Sequence, residues 1–322
     1  MNILIIGSEG FIGRTLTDLL IKASHTITGF DLKQGEHSKG KYVFISGDIM
    51  DKSGLEKAME GIECVINLAA KHHDFGISRE GFFEINEKGT DNILQAMVNK
   101  QIKKLVFFSS VAVYGEVKGC SSEATPVNPA NDYGESKLAA ERLIGKWYTE
   151  DNSRQALIIR PAVVFGPYNY ANMYKLIDTI YKRRYISVGK GDNIKSACYV
   201  ENLAAACVFL IARMQAGVAV YNYSDYEHLK SNDFINIIYA CLGRQRSGIR
   251  IPLAPVLVVT SVIDLLARIT KINFHITSNR IKKFNAQTWH GSDKVREEGF
   301  TPEVTLKEGL SRMVEWYLKD NK

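Results

Sequence analysis

The sequence predicts an α/β fold: a doubly wound parallel sheet followed by a smaller, mixed C-terminal unit. Three observations carry this. Through the first half of the 322 residues, apolar runs of strand length alternate with helical patterns across short connections, as in a parallel sheet covered on both faces. The first run, residues 2–6, leads through spaced glycines into a helical stretch. After Gly166-Pro167 the alternation stops.

Composition sets the frame. At 45% hydrophobic and 24% charged residues, the chain is globular and long enough for one extended domain or two interlocked ones. Five cysteines (Cys64, Cys120, Cys198, Cys207, Cys241) are scattered and never form a CxxC pair. Neither a disulfide framework nor a metal site is therefore expected, and a reducing cytoplasm is. The N-terminal apolar run has no basic lead and meets its glycine turn within six residues, so it reads as a strand rather than a leader.

The net charge of +6 is uneven. Residues 230–322 hold 15 Lys and Arg against 9 Asp and Glu, leaving 26 of each before them, so the whole excess lies in the C-terminal part. A solvated face, a pocket for an anionic substrate and contact with an acidic membrane surface all fit such an excess. Nucleic acid is not expected as a partner, because the chain has no dense basic helix or aromatic platform.

Strands are expected at 2–6, 26–30, 42–46, 64–69, 103–109 and 156–164, and helices at 11–22, 52–60, 80–99 and 132–150. The loop from Ser110 to Asn131 is long and holds Pro126 and Pro129; inside a compact domain such a loop is more often functional than idle. Residues 197–200, a helix at 201–214 and a strand at 218–223 return to the sheet pattern, with a helix at 231–242 behind them. Residues 253–269 are the most apolar stretch. A spanning helix needs roughly 20 apolar residues, and Asp264 and Arg268 interrupt this one, so no transmembrane segment is expected. It reads as a buried helix. An interfacial helix beside Lys271, Arg280, Lys282 and Lys283, giving peripheral membrane contact, is the alternative.

The glycine turn, Gly7-Ser8-Glu9-Gly10-Phe11-Ile12-Gly13, has the spacing that brings a backbone against a pyrophosphate. Gly10 removes a side chain that would meet the phosphates, and Gly13 lets helix and strand pack. The helix N–H groups and dipole then face the anion. The second strand ends at Asp31, eighteen residues after Gly13, where a carboxylate hydrogen-bonds the adenosine ribose and repels a 2′-phosphate. NAD is thus expected over NADP, with Lys33 moderating the preference. Residues 1–167 are accordingly expected to form a Rossmann-type NAD-binding domain, with the strand and helix near 201–223 returning to it. Residues 168–322 mainly form a substrate-binding domain.

Tyr133 and Lys137 stand four apart, on one helix face. Taking a proton from an alcohol while hydride leaves its carbon needs a base near neutral pH, and a free phenol titrates near 10. A neighbouring ammonium and a positive nicotinamide would lower it. Ser110, at the C-terminal end of the strand at 103–109, is placed to share a hydrogen bond with the reacting oxygen. Each residue also has an ordinary reading: a surface Tyr/Lys pair, and a serine capping a turn.

These runs stand in a telling order: the glycine turn, Asp31, Gly47-Asp48, Asn67-Leu68-Ala69-Ala70, Asn86 to Thr90, Ser109 to Gly115, Tyr133 to Lys137, and Arg160 to Pro167. In that order the chain resembles the extended short-chain dehydrogenase/reductase family of NAD-dependent epimerases and dehydratases. The likeness continues through Tyr199–Asn202, Lys294–Pro302 and Leu306–Gly309. It implies that Asp48 and Ile49 hold adenine, and that Leu68, Ala69 and Ala70 line the pyrophosphate and ribose. Asn86 and Pro161 would join the cofactor set, with Ser110, Tyr133 and Lys137 catalytic. Lys195 falls where the family often has an arginine near the substrate diphosphate, and Arg280 is a second basic candidate from charge and region. His72 follows the fourth strand in a Lys71-His72-His73-Asp74 run and reads as a substrate contact, a solvated loop residue or, last, a metal ligand.

Two departures select within the family. Dehydratases carry an Asp-Glu pair directly after the catalytic hydroxyl, whereas Val111 and Ala112 follow Ser110; a 4,6-dehydratase is not expected. Val163 stands where many members have a substrate-contacting Asn. The resemblance thus implies a nucleotide-sugar epimerase acting by transient oxidation of a sugar hydroxyl, commonly at C4, and a homodimer through the helices at 80–99 and 132–150. The alternatives are a 4-keto-sugar reductase or 3-hydroxy (steroid-like) dehydrogenase with the same trio, and a non-catalytic NAD-binding scaffold.

Overall fold

A computed structural model describes residues 1–72, 76–246, 248–270 and 278–321; side chains at 262, 264–270, 279, 280 and 283 lie outside the described set. In chain order the elements begin β1 (Asn2–Ile6), α1 (Phe11–Lys22), β2 (Thr26–Asp31), β3 (Val43–Ser46), α2 (Lys52–Ala58), β4 (Cys64–Asn67) and α3 (Arg79–Phe83). A π turn (Glu84–Lys88) then leads into α4 (Gly89–Asn99), β5 (Lys104–Phe108), a 3-10 turn (Val111–Tyr114), α5 (Asp132–Glu150), β6 (Gln155–Pro161) and β7 (Val163–Phe165). There follow α6 (Asn172–Tyr181), β8 (Ser187–Val188), β9 (Ile194–Lys195), β10 (Ala197–Tyr199), α7 (Val200–Ile211), β11 (Gly217–Tyr223), β12 (Leu229–Lys230) and α8 (Ser231–Cys241). The last are β13 (Arg250–Ile251), α9 (Leu253–Thr270), α10 (Ser278–Asn285), α11 (Asp293–Glu297) and α12 (Leu306–Asp320).

Seven strands form one sheet in the order β11-β6-β5-β4-β1-β2-β3, and every pairing in it is parallel. The chain builds outward from β1 in one direction and from β4 in the other. The gap between those two strands is the switch point where such sheets hold ligands, at the strands' C-terminal ends. Both faces are covered, which is why β1 is apolar at every buried position rather than alternating. Ile3 and Ile5 pack with Leu16 and Leu20 of α1 and Leu203 and Cys207 of α7. Leu4 and Ile6 pack on the other face with Leu55, Ile93, Met97 and Ile144.

The chain divides into two compact units: Met1–Val164 with Cys198–Asp225 and His290–Val304, and Phe165–Ala197 with Tyr226–Trp289 and Thr305–Lys322. The sequence reading assigned 290–304 to the later part. In the structure Val295 and Phe300 fill the α1/α7 face of the sheet, with the Phe300 ring 5.4 Å from Phe209 and 6.1 Å from Tyr223. In the second unit, Tyr317 of α12 donates to Asp178 of α6 (2.8 Å).

Three local expectations are revised. The helix at 80–99 contains a π turn at Glu84–Lys88. The strand at 156–164 is interrupted between Pro161 and Val163. The stretch at 253–269 is helical, but its described part is buried on one side only: Thr260 is buried, whereas Val258 and Val259 are 67% and 59% exposed. Hydropathy predicts the helix and not its neighbours. No described helix is long and apolar enough to cross a membrane.

Candidate active site

The glycine turn closes the C-terminal end of β1. Gly7 donates to Phe30 O (2.8 Å) and accepts from Gly10 N (3.1 Å), at a φ of +85° that favours glycine. A Cβ at Gly13 would lie 2.2 Å from Gly7 O, whereas one at Gly10 would meet nothing nearer than Gly7 O at 3.2 Å. The inner side of the turn is therefore full and its outer side open. Gly10 caps α1 with no side-chain bond, so the first N–H groups of the helix, around Phe11 and Ile12, have no capping acceptor there. Asp31 is fixed by two backbone donors, Glu9 N (3.0 Å) and Leu32 N (2.8 Å). Opposite the turn, Leu68 and Ala69 backbone atoms lie 3.0–3.1 Å from a Cβ position on Gly7, which puts the β4 exit, Leu68 to Ala70, against the glycines. An open glycine cradle at an uncapped helix start, flanked by a fixed carboxylate, fits a dinucleotide.

Of the adenine candidates, Asp48 is exposed and accepts from Met50 N (2.9 Å). Ile49 is buried, with its Cδ1 2.4 Å from a Cβ position on Gly89 and its carbonyl accepting from Asn92 (3.1 Å).

The catalytic candidates converge at the end of β5. Ser110 caps the 3-10 turn by accepting from Ala112 N (3.1 Å), so its ordinary reading holds. It also pairs with the Tyr133 phenol, the one contact that lowers that phenol. α5 starts with Asn131 accepting from Gly134 N (2.9 Å). It lies close on the turn: a Cβ at Gly134 would come 2.5 Å from Ala112 O. Lys137 is 2% exposed; its ammonium donates to Phe108 O (2.7 Å) and sits 4.6 Å from the Phe107 ring centroid.

Burial dominates the electrostatics of the protein's own groups here. Burial pushes the Tyr133 phenol up to about 12, opposed by Ser110 alone. Burial likewise pushes Lys137 down to about 7, opposed by Glu141. Among the protein's own groups, Ser110 is the one that lowers the phenol, and desolvation outweighs it. Both groups are buried, and burial disfavours the charged form of each.

Sequence reasoning missed the residues that hold this face in place. Glu141, one turn beyond Lys137, forms a buried ion pair with Arg160 of β6 (Nε–Oε1 2.9 Å, Nη2–Oε2 2.5 Å). Arg160 also donates to the Tyr114 hydroxyl (2.7 Å), which donates to Asn222 of β11 (2.8 Å). The repeat of polar residues at 133, 137 and 141 on one helix face was the available signal. Asn86, in the π turn, accepts from Lys71 N (2.9 Å) and donates to Lys71 O (3.0 Å) and Ser136 Oγ (2.9 Å). It thereby ties the β4 exit loop to α5, which carries Tyr133 and Lys137. Single-turn π segments recur at functional sites.

The remaining candidates are dispersed. Pro161 ends β6, paired with Tyr223. Val163 is 49% exposed. His72 is exposed in the same exit loop; His73 and Asp74 lie outside the described residues. In the second unit, Lys195 donates to Ala286 O (2.6 Å), and burial pushes its ammonium down to about 8. Arg280 lies in α10 with its side chain outside the described set, and Lys271 also lies outside it.

Residues 3–224 match the NAD dependent epimerase/dehydratase family. The chain belongs to that family. It is 35% identical, over 98% of its own length and 95% of the relative's, to an N-acetyl-alpha-D-glucosaminyl-diphospho-ditrans,octacis-undecaprenol 4-epimerase of Escherichia coli O157:H7. It is 24% identical to a UDP-glucose 4-epimerase of Vibrio cholerae, over 99% and 96% of the two chains. Its fold superposes on a UDP-glucuronic acid 4-epimerase of Bacillus cereus in complex with NAD, with a TM-score of 0.81, 21% identity and full coverage of both chains. The enzyme is NAD-dependent and of the extended short-chain dehydrogenase/reductase type.

Proposed function

We propose that this enzyme is an NAD-dependent 4-epimerase of a sugar carried on a diphosphate, the reaction of nucleotide-sugar epimerases. The observation that carries the reading is the 35% identity, over nearly all of both chains, to a relative named as a 4-epimerase of a diphosphate-linked sugar. The trio supports it in chemical terms. When bound, NAD supplies the hydride acceptor for C4 and a positive charge that favours phenolate. Tyr133 takes the C4 hydroxyl proton as that C–H bond breaks, and gives it back when hydride returns to the other face. Ser110, bonded to the phenol, stabilises the same oxygen. Lys137, fixed by Phe108 O, stands where it can hold the nicotinamide ribose, and its protonated form favours phenolate. The buried surroundings exclude the water that would quench a keto intermediate.

The carrier has two readings. A nucleotide is the one expected from the sequence, and the Vibrio cholerae relative is named for one. A polyprenyl lipid is favoured by the name of the more similar relative and by the half-exposed aliphatic Val163 in place of an asparagine. In either, Lys195 and Arg280 are the basic candidates for the diphosphate, and His72 for the sugar. A homodimer through the helices at 79–99 and 132–150, residence in the cytoplasm, and division of labour between the cofactor-binding first unit and a substrate-binding second unit complete the reading.

The test is turnover without added cofactor. Purified enzyme is incubated with UDP-N-acetylglucosamine or with undecaprenyl-diphosphate-linked N-acetylglucosamine, and the C4 epimer is followed by NMR. Epimer formation supports the reading and names the carrier. Stoichiometric consumption of added NAD(H) with no epimer overturns it in favour of one-way oxidoreduction.

A further inference from the structure

The second unit carries an exposed surface built from aliphatic and basic residues. β8 and β13 pair in parallel with Ser187 opposite Arg250, so the residues just before them, Ile186 and Ile249, come side by side at the start of the ladder. They are 57% and 70% exposed. Two residues after β13 the chain enters α9, where Val258 and Val259 are exposed beside exposed Ala254 and Pro255.

Charge accompanies this surface. Arg183, Arg184 and Lys190 flank β8 and are exposed, as is Arg250. Arg244 and Arg246 are spent inward, on the Ile180 and Tyr181 carbonyls and on Ser187 and Asn232. From residue 234 to 263 the sequence has no Asp or Glu. Asp192 lies two residues from Lys190 and Asp178 interacts with Arg184, but the Ile249 to Val259 part has no acid near it in sequence. Exposed aliphatics with arginines in excess are complementary to a bilayer: acyl chains for the valines and isoleucines, phosphates for the guanidinium groups. The described helices are too short or too polar to span, so the contact would be with one leaflet.

We propose that the second unit docks on an anionic bilayer surface through Ile186, Ile249, Val258 and Val259, with Arg183, Arg184 and Arg250 on the headgroups. The inference goes beyond the epimerase reading, and its test does not use turnover as evidence. Whole enzyme is floated with vesicles of phosphatidylglycerol and phosphatidylcholine, or of phosphatidylcholine alone. Wild type is expected to co-float with the anionic vesicles, be released by salt, and leave phosphatidylcholine unbound. Val258→Asp with Val259→Asp, and separately Arg183→Gln with Arg184→Gln, are expected to weaken binding on the order of tenfold or more, at about 1 kcal/mol per basic residue near the surface. Both pairs are exposed, so melting temperature is expected to stay near wild type. Should the valine pair unfold, Ile249→Ser with Ile186→Ser takes its place.

Absence of vesicle binding overturns the proposal. So does binding unchanged in both variants, or a change from dimer to monomer in Val258→Asp with Val259→Asp without vesicle binding, which would assign the face to a second copy. Vesicle binding by an enzyme that epimerises neither carrier would leave the docking surface standing and remove only the epimerase reading.

Discussion

α5 and α9 are nearly equal in length, 19 and 18 residues, and invert each other's chemistry. α5 buries Ser136, Lys137 and Glu141, while α9 leaves Val258 and Val259 in the open. Hydropathy alone would assign them the other way round. A charged group goes inside only where partners wait for it. Lys137 has a carbonyl and a ring face, and Glu141 has a bidentate guanidinium. Exposed aliphatic residues are ordinary on protein surfaces; those on α9 stand out because they adjoin the exposed Ile249 and a run of sequence without acids. The two inversions mark where this molecule departs from what folding alone would ask.

The sharpest way to break the comparison is at the phenol. Tyr133→Phe removes the proposed proton carrier and is expected to lower turnover by about 10²–10⁴-fold. NAD released on denaturation should stay at the wild-type amount; near-normal turnover would reassign the proton to another group.

Next comes the buried pair. Arg160→Met leaves the Glu141 carboxylate without its guanidinium and is expected to cost about 3–5 kcal/mol of stability, read as a lower urea midpoint. If the midpoint holds, Glu141 is not the isolated charge that its burial implies. A smaller loss, about 1–3 kcal/mol, is expected for Gly134→Ala, whose methyl would press α5 off the Ser110 turn. KM and kcat should both worsen there, because the helix carries the phenol.

A further effect is in pH. Burial holds Lys137 near 7 against an ordinary 10.5. Between those values the unfolded chain binds a proton that the folded one does not, so this residue makes stability rise with pH across that window. Lys137→Met should flatten that rise in urea titrations of cofactor-stripped protein. An equal slope in both proteins would mean that the ammonium stays charged inside.

The fold was legible because its signals are local and redundant. Each strand of the parallel sheet is an apolar run, and the turn after β1 needs glycine at fixed positions. The trio was legible through side-chain identity at helical spacing and a strand end. The support around it was not. Arg160 was visible only as part of a family run and Glu141 not at all, because their pairing appears only when the sheet brings β6 beneath α5, and no composition rule announces the π turn at Glu84–Lys88. Nor does an apolar helix declare whether it has neighbours, which is why α9 was expected inside. Lys195 and Arg280 came from family position and charge, and both fall in the second unit, where the sequence is least regular.

The Asn86 carboxamide meets both the N–H and the C=O of Lys71, as the peptide group of a neighbouring strand would. A side chain standing in for main chain has no synonym. Aspartate lacks the donor, glutamine is one methylene too long, and serine cannot span both atoms. Saturating this codon should therefore leave a single functional letter, the mark of a position chosen for shape rather than for reactivity.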